Sequence, residues 1–148
     1  MIKITNYAGI DNAEQLISHI TKELDIKDAE IVVTKNDSLL DKFGTMEYRV
    51  NGLLHKSAAP GVYNLMVREH PSDSMDLVLC HELVHLKQFT DGKLSLNMDS
   101  KVFTWKGRNY SGDTPYGERP WENEAFEKQW PLVRSYRRYM RDLKKSQK

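Results

Sequence analysis

A single five-residue pattern restricts this chain more than any other feature. His81-Glu82-Leu83-Val84-His85 reads HExxH and lies in an apolar run from about Asp76 to Phe89, between Pro71 with its serines and the stop signal Asp91-Gly92. Ser72 and Ser74 offer N-cap chemistry, and Asp73 and Asp76 suit the positive end of a helix. On such a helix the two histidines lie about 400° apart, so both imidazoles project from one face, one turn apart. Glu82 is rotated about 100° from His81, which lets its carboxylate approach a water held by a metal without taking a coordination position. His81 and His85 are therefore candidate metal ligands and Glu82 a candidate general base. Zinc lowers the pKa of bound water from about 15.7 to near 7, which brings peptide hydrolysis within reach at neutral pH.

A catalytic zinc normally has three protein ligands, so one more is required. The segment Arg119-Pro120-Trp121-Glu122-Asn123-Glu124-Ala125-Phe126 opens a helix with two carboxylates, followed by a small residue that permits close packing. Glu122 and Glu124 lie about 200° apart on that helix and cannot both face one metal in standard geometry. Here the chain resembles the gluzincin branch of the zincin metallopeptidases. Those thermolysin-like enzymes take their third ligand from a glutamate on a later helix, often just before alanine, and Asn123-Glu124-Ala125 matches that pattern. The resemblance thus implies zinc held by His81, His85 and Glu124, with Glu122 as an alternative third ligand whose plainer role is a helix-terminus charge or a partner of a ligating histidine. Lys128 stands where thermolysin carries an aspartate, which leaves that supporting acid unassigned. A metzincin-like alternative uses Asp91 at the spacing of HExxHxxGxxD, but Gln88 replaces the glycine that turns the chain back to the metal. His81 to Phe89, Trp105-Lys106-Gly107 and Pro120 to Phe126 together also resemble small uncharacterised zincin-like proteins of bacteriophages.

Around this motif the expected fold is α+β: a minimal zincin-like arrangement with a small antiparallel or mixed sheet on the HExxH helix, flanked by N-terminal and C-terminal helices. Strands are expected at Met1 to Thr5, Glu30 to Thr34, Met46 to Leu54 and Val62 to Arg68. A helix over Asn12 to Leu24, capped by Asp11 or Asn12, packs by Leu16, Ile17, Ile20 and Leu24. Lys93 to Pro120 reads as irregular, apart from a hairpin over Val102 to Tyr110 that turns at Lys106-Gly107. A helix over Trp121 to Gln129 is followed by Pro131, which kinks it or starts another helix bearing Leu132, Val133, Tyr136, Met140 and Leu143 on one face.

The 148 residues fit one domain, residues 1–148. With 22 Lys plus Arg against 21 Asp plus Glu, the net charge of +1 gives no global reason to expect nucleic acid or an anionic membrane. Asp11 and Glu14 interrupt what a signal peptide would need to be apolar, and no run approaches a membrane span, so a cytoplasmic protein is expected, with virion association as an alternative. Cys80, the single cysteine, reads as a small core residue, and His19, His55 and His70 have no metal-like spacing. Tyr110 and Tyr116 precede the later helix, where a phenol suits an oxyanion, although packing is the plainer role. Arg134, Arg137, Arg138, Arg141, Lys144, Lys145 and Lys148 make the C-terminus basic, a solvated face or, as the lesser alternative, a dock for nucleic acid or an acidic protein. The expected activity is zinc-dependent cleavage of protein or peptide substrates. The alternative is a non-catalytic zincin-like module in a virion or assembly.

Overall fold

The computed structural model describes residues 1–43, 50–97 and 99–147. Strand β1 (Ile2–Asn6) leads through helix α1 (Ala13–Glu23) to β2 (Ala29–Lys35), and the short α2 (Asp37–Asp41) follows. Strands β3 (Gly52–Lys56) and β4 (Val62–Val67) then precede α3 (Met75–Thr90), the HExxH helix. A second group, β5 (Leu94–Asn97), β6 (Val102–Trp105) and β7 (Arg108–Ser111), leads through a 3-10 turn at Tyr116–Glu118 into α4 (Pro120–Ser146).

The first sheet has the order β1-β2-β4-β3 and is mixed. The β1–β2 and β2–β4 pairs are parallel, and only the edge strand β3 runs antiparallel, with Leu54 opposite Leu65. Alternation along β2 buries Ala29, Ile31 and Val33. Those residues meet Leu16, Ile17 and Ile20 of α1 and Leu79, Leu83 and Leu86 of α3 in one core. Helix α3 is buried over most of its circumference because the sheet, α1 and α4 surround it. Cys80 lies wholly inside, and burial pushes its thiol up to about 12, so it is a core residue without nucleophilic character.

Several expectations are amended. Residues 44–49, part of the strand expected from Met46, lie outside the described residues; the described strand starts at Gly52 and continues past Leu54 to Lys56. The expected hairpin over Val102 to Tyr110 is β6-β7, and β5, from the stretch expected to be irregular, adds a third strand to make the antiparallel sheet β5-β6-β7. Its hairpin does turn at Lys106-Gly107, where both residues have positive φ (49° and 83°), as a two-residue primed turn needs. Helix α4 is a single helix of 27 residues that passes through Pro131. Pro131 removes one backbone donor, but its ring is exposed, while Gln129, Leu132, Val133 and Tyr136 on either side are buried and keep the helix docked. Asn12 precedes α1 with φ 60° and Ser74 precedes α3, yet neither side chain caps its helix; the Ser74 hydroxyl donates to Asp76 instead. Of the basic C-terminal side chains, Arg137 pairs with Asp76 of α3, whereas Arg134, Arg138, Arg141, Lys144 and Lys145 face solvent. Among the described residues no helix is long and apolar enough to cross a membrane.

Candidate metal centre

Helix α3 presents His81 and His85 on one face, as their spacing requires, with ring centroids 4.9 Å apart. Opposite them stands the first turn of α4. The carboxylate that joins the histidines is Glu122: its Oε1 lies 3.0 Å from His81 Nε2 and 2.8 Å from His85 Nε2. One ligand atom from each of the three residues falls within 4.8 Å of the other two, a possible metal site. Glu124, the ligand expected by resemblance, lies outside this group. Its Oε1 accepts from Gln88 Nε2 at 3.1 Å and approaches Lys128 Nζ at 3.8 Å. Asp91 is also elsewhere, pairing with Lys87 at the end of α3.

Helical geometry explains why Glu122 faces inward. Val133, fully buried against the core, is eleven residues after Glu122, about 20° away around the helix, whereas it is nine residues after Glu124, about 180° away. Buried Ala125 and Gln129, three and seven residues after Glu122, lie on the same stripe. Projecting the apolar stripe of α4 back to its first turn therefore selects Glu122, and this signal was present in the sequence.

Two glutamines, which the motif does not include, fix the imidazoles. His81 Nδ1 meets Gln129 Oε1 at 2.7 Å, and His85 Nδ1 meets Gln88 Oε1 at 2.7 Å. The Gln88 amide is oriented by its other end, because its nitrogen donates to the Trp121 carbonyl at 3.0 Å as well as to Glu124. The oxygen must then face His85 and accept from Nδ1–H. With Nδ1 protonated, a neutral imidazole carries its lone pair on Nε2, the atom turned toward Glu122. Two lone pairs and a carboxylate oxygen that converge in this way need positive charge between them, either protons on both Nε2 atoms or a cation. Two imidazoles and one carboxylate suit a divalent metal with a position left for water or substrate.

The electrostatics agree. Burial alone would lower the His85 pKa, but the Glu122 carboxylate beside it, helped by Glu82 and Gln88, pushes it up to about 9. His81 moves up likewise: burial opposes the charged ring, and the Glu122 hydrogen bond and Glu82 outweigh it. Glu122 is buried too, yet the two histidines hold its carboxyl far below the usual range. Glu82 moves the other way, because burial raises its pKa more than the nearby histidines and the Leu54 backbone lower it. The space beside Glu82 is closed by Gly52 of β3, where a Cβ would stand 2.9 Å from Val78 Cγ1 and 3.3 Å from Glu82 Cγ. A glycine lets the edge strand come this close to Glu82.

A pH effect on the metal-free protein follows. The raised His85 pKa contributes stability that is complete below its ordinary value of 6.5 and disappears as pH rises through about 9. The raised Glu82 pKa acts in the same direction, favouring the fold least once the carboxyl ionises. On the acid side, the lowered Glu122 pKa stabilises above its ordinary 4.5 and opposes Glu82 there, so the alkaline limb carries the clean signature. Chelator-treated protein is expected to lose stability between pH 6.5 and 9, on the order of 3 kcal/mol from His85, with His81 and Glu82 acting in the same direction. Thermal midpoints measured across that range should show the loss, and His85→Gln should reduce it.

Of the two tyrosines considered from sequence, Tyr116 donates its hydroxyl to Glu122 Oε1 at 3.3 Å, and Tyr110 packs edge-on against Trp121. His19 contacts Ser135 and stacks on Tyr139, away from the centre. No family model, curated protein or solved structure matches this chain.

Proposed function

We propose that this chain is a zinc-dependent peptidase of the zincin type, with His81, His85 and Glu122 as ligands and Glu82 as general base. The observation that carries the reading is the convergence of both Nε2 atoms on one Glu122 oxygen while glutamines hold both Nδ1 atoms, with an uncoordinated carboxylate, Glu82, buried one residue after His81. Zinc held there supplies a Lewis acid that acidifies water and polarises a carbonyl. Glu82, buried beside the histidines and not among the ligands, takes the proton from the attacking water and returns it to the departing amide nitrogen. Cleavage of the C–N bond leaves a new carboxylate and a new amine, two shorter peptides.

Substrate is proposed to lie along β3. Among the described residues this strand pairs with β4 at one edge only and passes Glu82 at Gly52, so its other edge is where an extended peptide would add as a strand. A purely structural metal site gives no reason for a buried carboxylate that is not a ligand, since burying an acid is unfavourable unless it is used. The reading is tested with a mixture of unfolded polypeptides, using mass spectrometry to detect new termini. Cleavage is expected from the zinc-loaded protein, absent after chelation and restored by zinc. Zinc-loaded protein that produces no new termini would contradict it.

A further inference from the structure

Glu122 reaches the histidines only if the first turn of α4 starts at one residue, since a shift of a single position rotates the carboxylate by about 100°. Pro120 contributes to this start by holding Arg119 extended, at φ −91° and ψ 108°. No side chain caps the helix; the Arg119 carbonyl itself accepts from the Glu122 and Asn123 amides at 3.0 and 3.1 Å. The position of Arg119 therefore sets the position of Glu122.

Arg119 is fixed by the segment that follows the β5-β6-β7 sheet. Its Nε donates to the Thr114 carbonyl at 2.9 Å and a terminal nitrogen donates to the Gly112 carbonyl at 3.2 Å, while the guanidinium lies 5.2 Å from the Phe103 ring. Next to Glu122 in the chain, Trp121 is fully buried in an aromatic box. Its ring is 4.7 Å from Phe103, 5.3 Å from Tyr110 and 6.4 Å from Trp105, and its carbonyl receives Gln88, the glutamine that orients His85. The second sheet thus grips the chain just before Glu122 and also touches the support of a histidine.

We infer that the β5-β6-β7 sheet is a clamp that positions the third metal ligand, with Arg119 and Trp121 as its positioning residues. The inference rests on the metal reading above and extends it to residues that donate no atom to the metal. Phe103 and Tyr110 hold the Trp121 ring, and the Arg119 fork ties the helix start to the carbonyls after β7. Loosening either contact frees the first turn of α4 and lets the Glu122 oxygen leave the two Nε2 atoms.

The test uses Arg119→Met, which keeps the apolar stem over Phe103 and removes the fork, alongside Arg119→Lys and Trp121→Phe. Zinc affinity is measured by competition with a chromophoric chelator, the ligand field by the visible spectrum of the cobalt-substituted protein, and the metal-free fold by circular dichroism. Arg119→Met is expected to bind zinc about 10–100-fold more weakly, the range typical of groups that orient metal ligands, with an altered cobalt spectrum and an unchanged metal-free fold. Arg119→Lys should fall between it and wild type. Should Arg119→Met fail to fold, Trp121→Phe decides by the same comparison. Variants with wild-type zinc affinity and cobalt spectrum would overturn the clamp alone, whereas a wild-type protein that takes up no zinc would overturn the metal reading and the clamp with it.

Discussion

Glu122→Ala is expected to lose zinc binding by well over 100-fold, while Glu124→Ala keeps it to within about tenfold. The asymmetry arises because the two glutamates stand in different relations to the histidines. Glu122 supplies the oxygen that both Nε2 atoms approach at 2.8–3.0 Å, so its removal leaves two ligands facing an alanine methyl. The loss should exceed the 10–100-fold typical of supporting groups. The Glu124 carboxylate meets Gln88 and Lys128, and Gln88 keeps its second partner, the Trp121 carbonyl, when that carboxylate is gone. Zinc titration of the two variants side by side checks the assignment. Equal losses in both, or a larger loss in Glu124→Ala, would reverse it.

The second large effect concerns rate rather than binding. Glu82→Gln is expected to retain zinc and lower the rate of peptide cleavage by roughly 10²–10⁴-fold, the usual contribution of a positioned proton-transfer group. That corresponds to about 3–5 kcal/mol of barrier. Glutamine matches the shape of the glutamate and carries no charge, so it fits the buried space beside Gly52 and Val78 without the desolvation that raises the Glu82 pKa. Single-turnover rates on one identified peptide, with zinc content measured on the same samples, separate lost chemistry from lost metal. A variant as fast as wild type would remove Glu82 from the mechanism.

The parts legible in the sequence were those governed by short-range periodicity. The 3.6-residue period of Leu16, Ile17 and Ile20 placed α1, the HExxH spacing placed both histidines on one face, and the Lys106-Gly107 pair marked the hairpin. What depended on distant partners was harder to read. Whether β2 runs parallel to β4 is decided by how both pack under α1 and α3, and no residue of either strand announces it. Which glutamate joins the histidines depended on two signals that disagree: the alanine after Glu124 matches a known local pattern, whereas the burial stripe running from Gln129 to Tyr136, carried back through Pro131, leads to Glu122, the one grouped with the histidines. The residue types of Gln88 and Gln129 do not announce their place beside the histidines, because an amide has no metal chemistry of its own. Yet Gln88 lies in an apolar helix that buries it almost completely, and a polar group so placed needs a partner. That partner is His85.

The central claim is that one metal ion is held between His81, His85 and Glu122. Its most direct test is an anomalous difference map collected at the zinc edge from crystals of the zinc-loaded protein. The account predicts a single strong peak within bonding distance of both Nε2 atoms and a Glu122 carboxylate oxygen, with Glu82 and Glu124 outside the coordination sphere. A peak bound by Glu124 or at another site, or a folded protein with no peak at these residues, would contradict it.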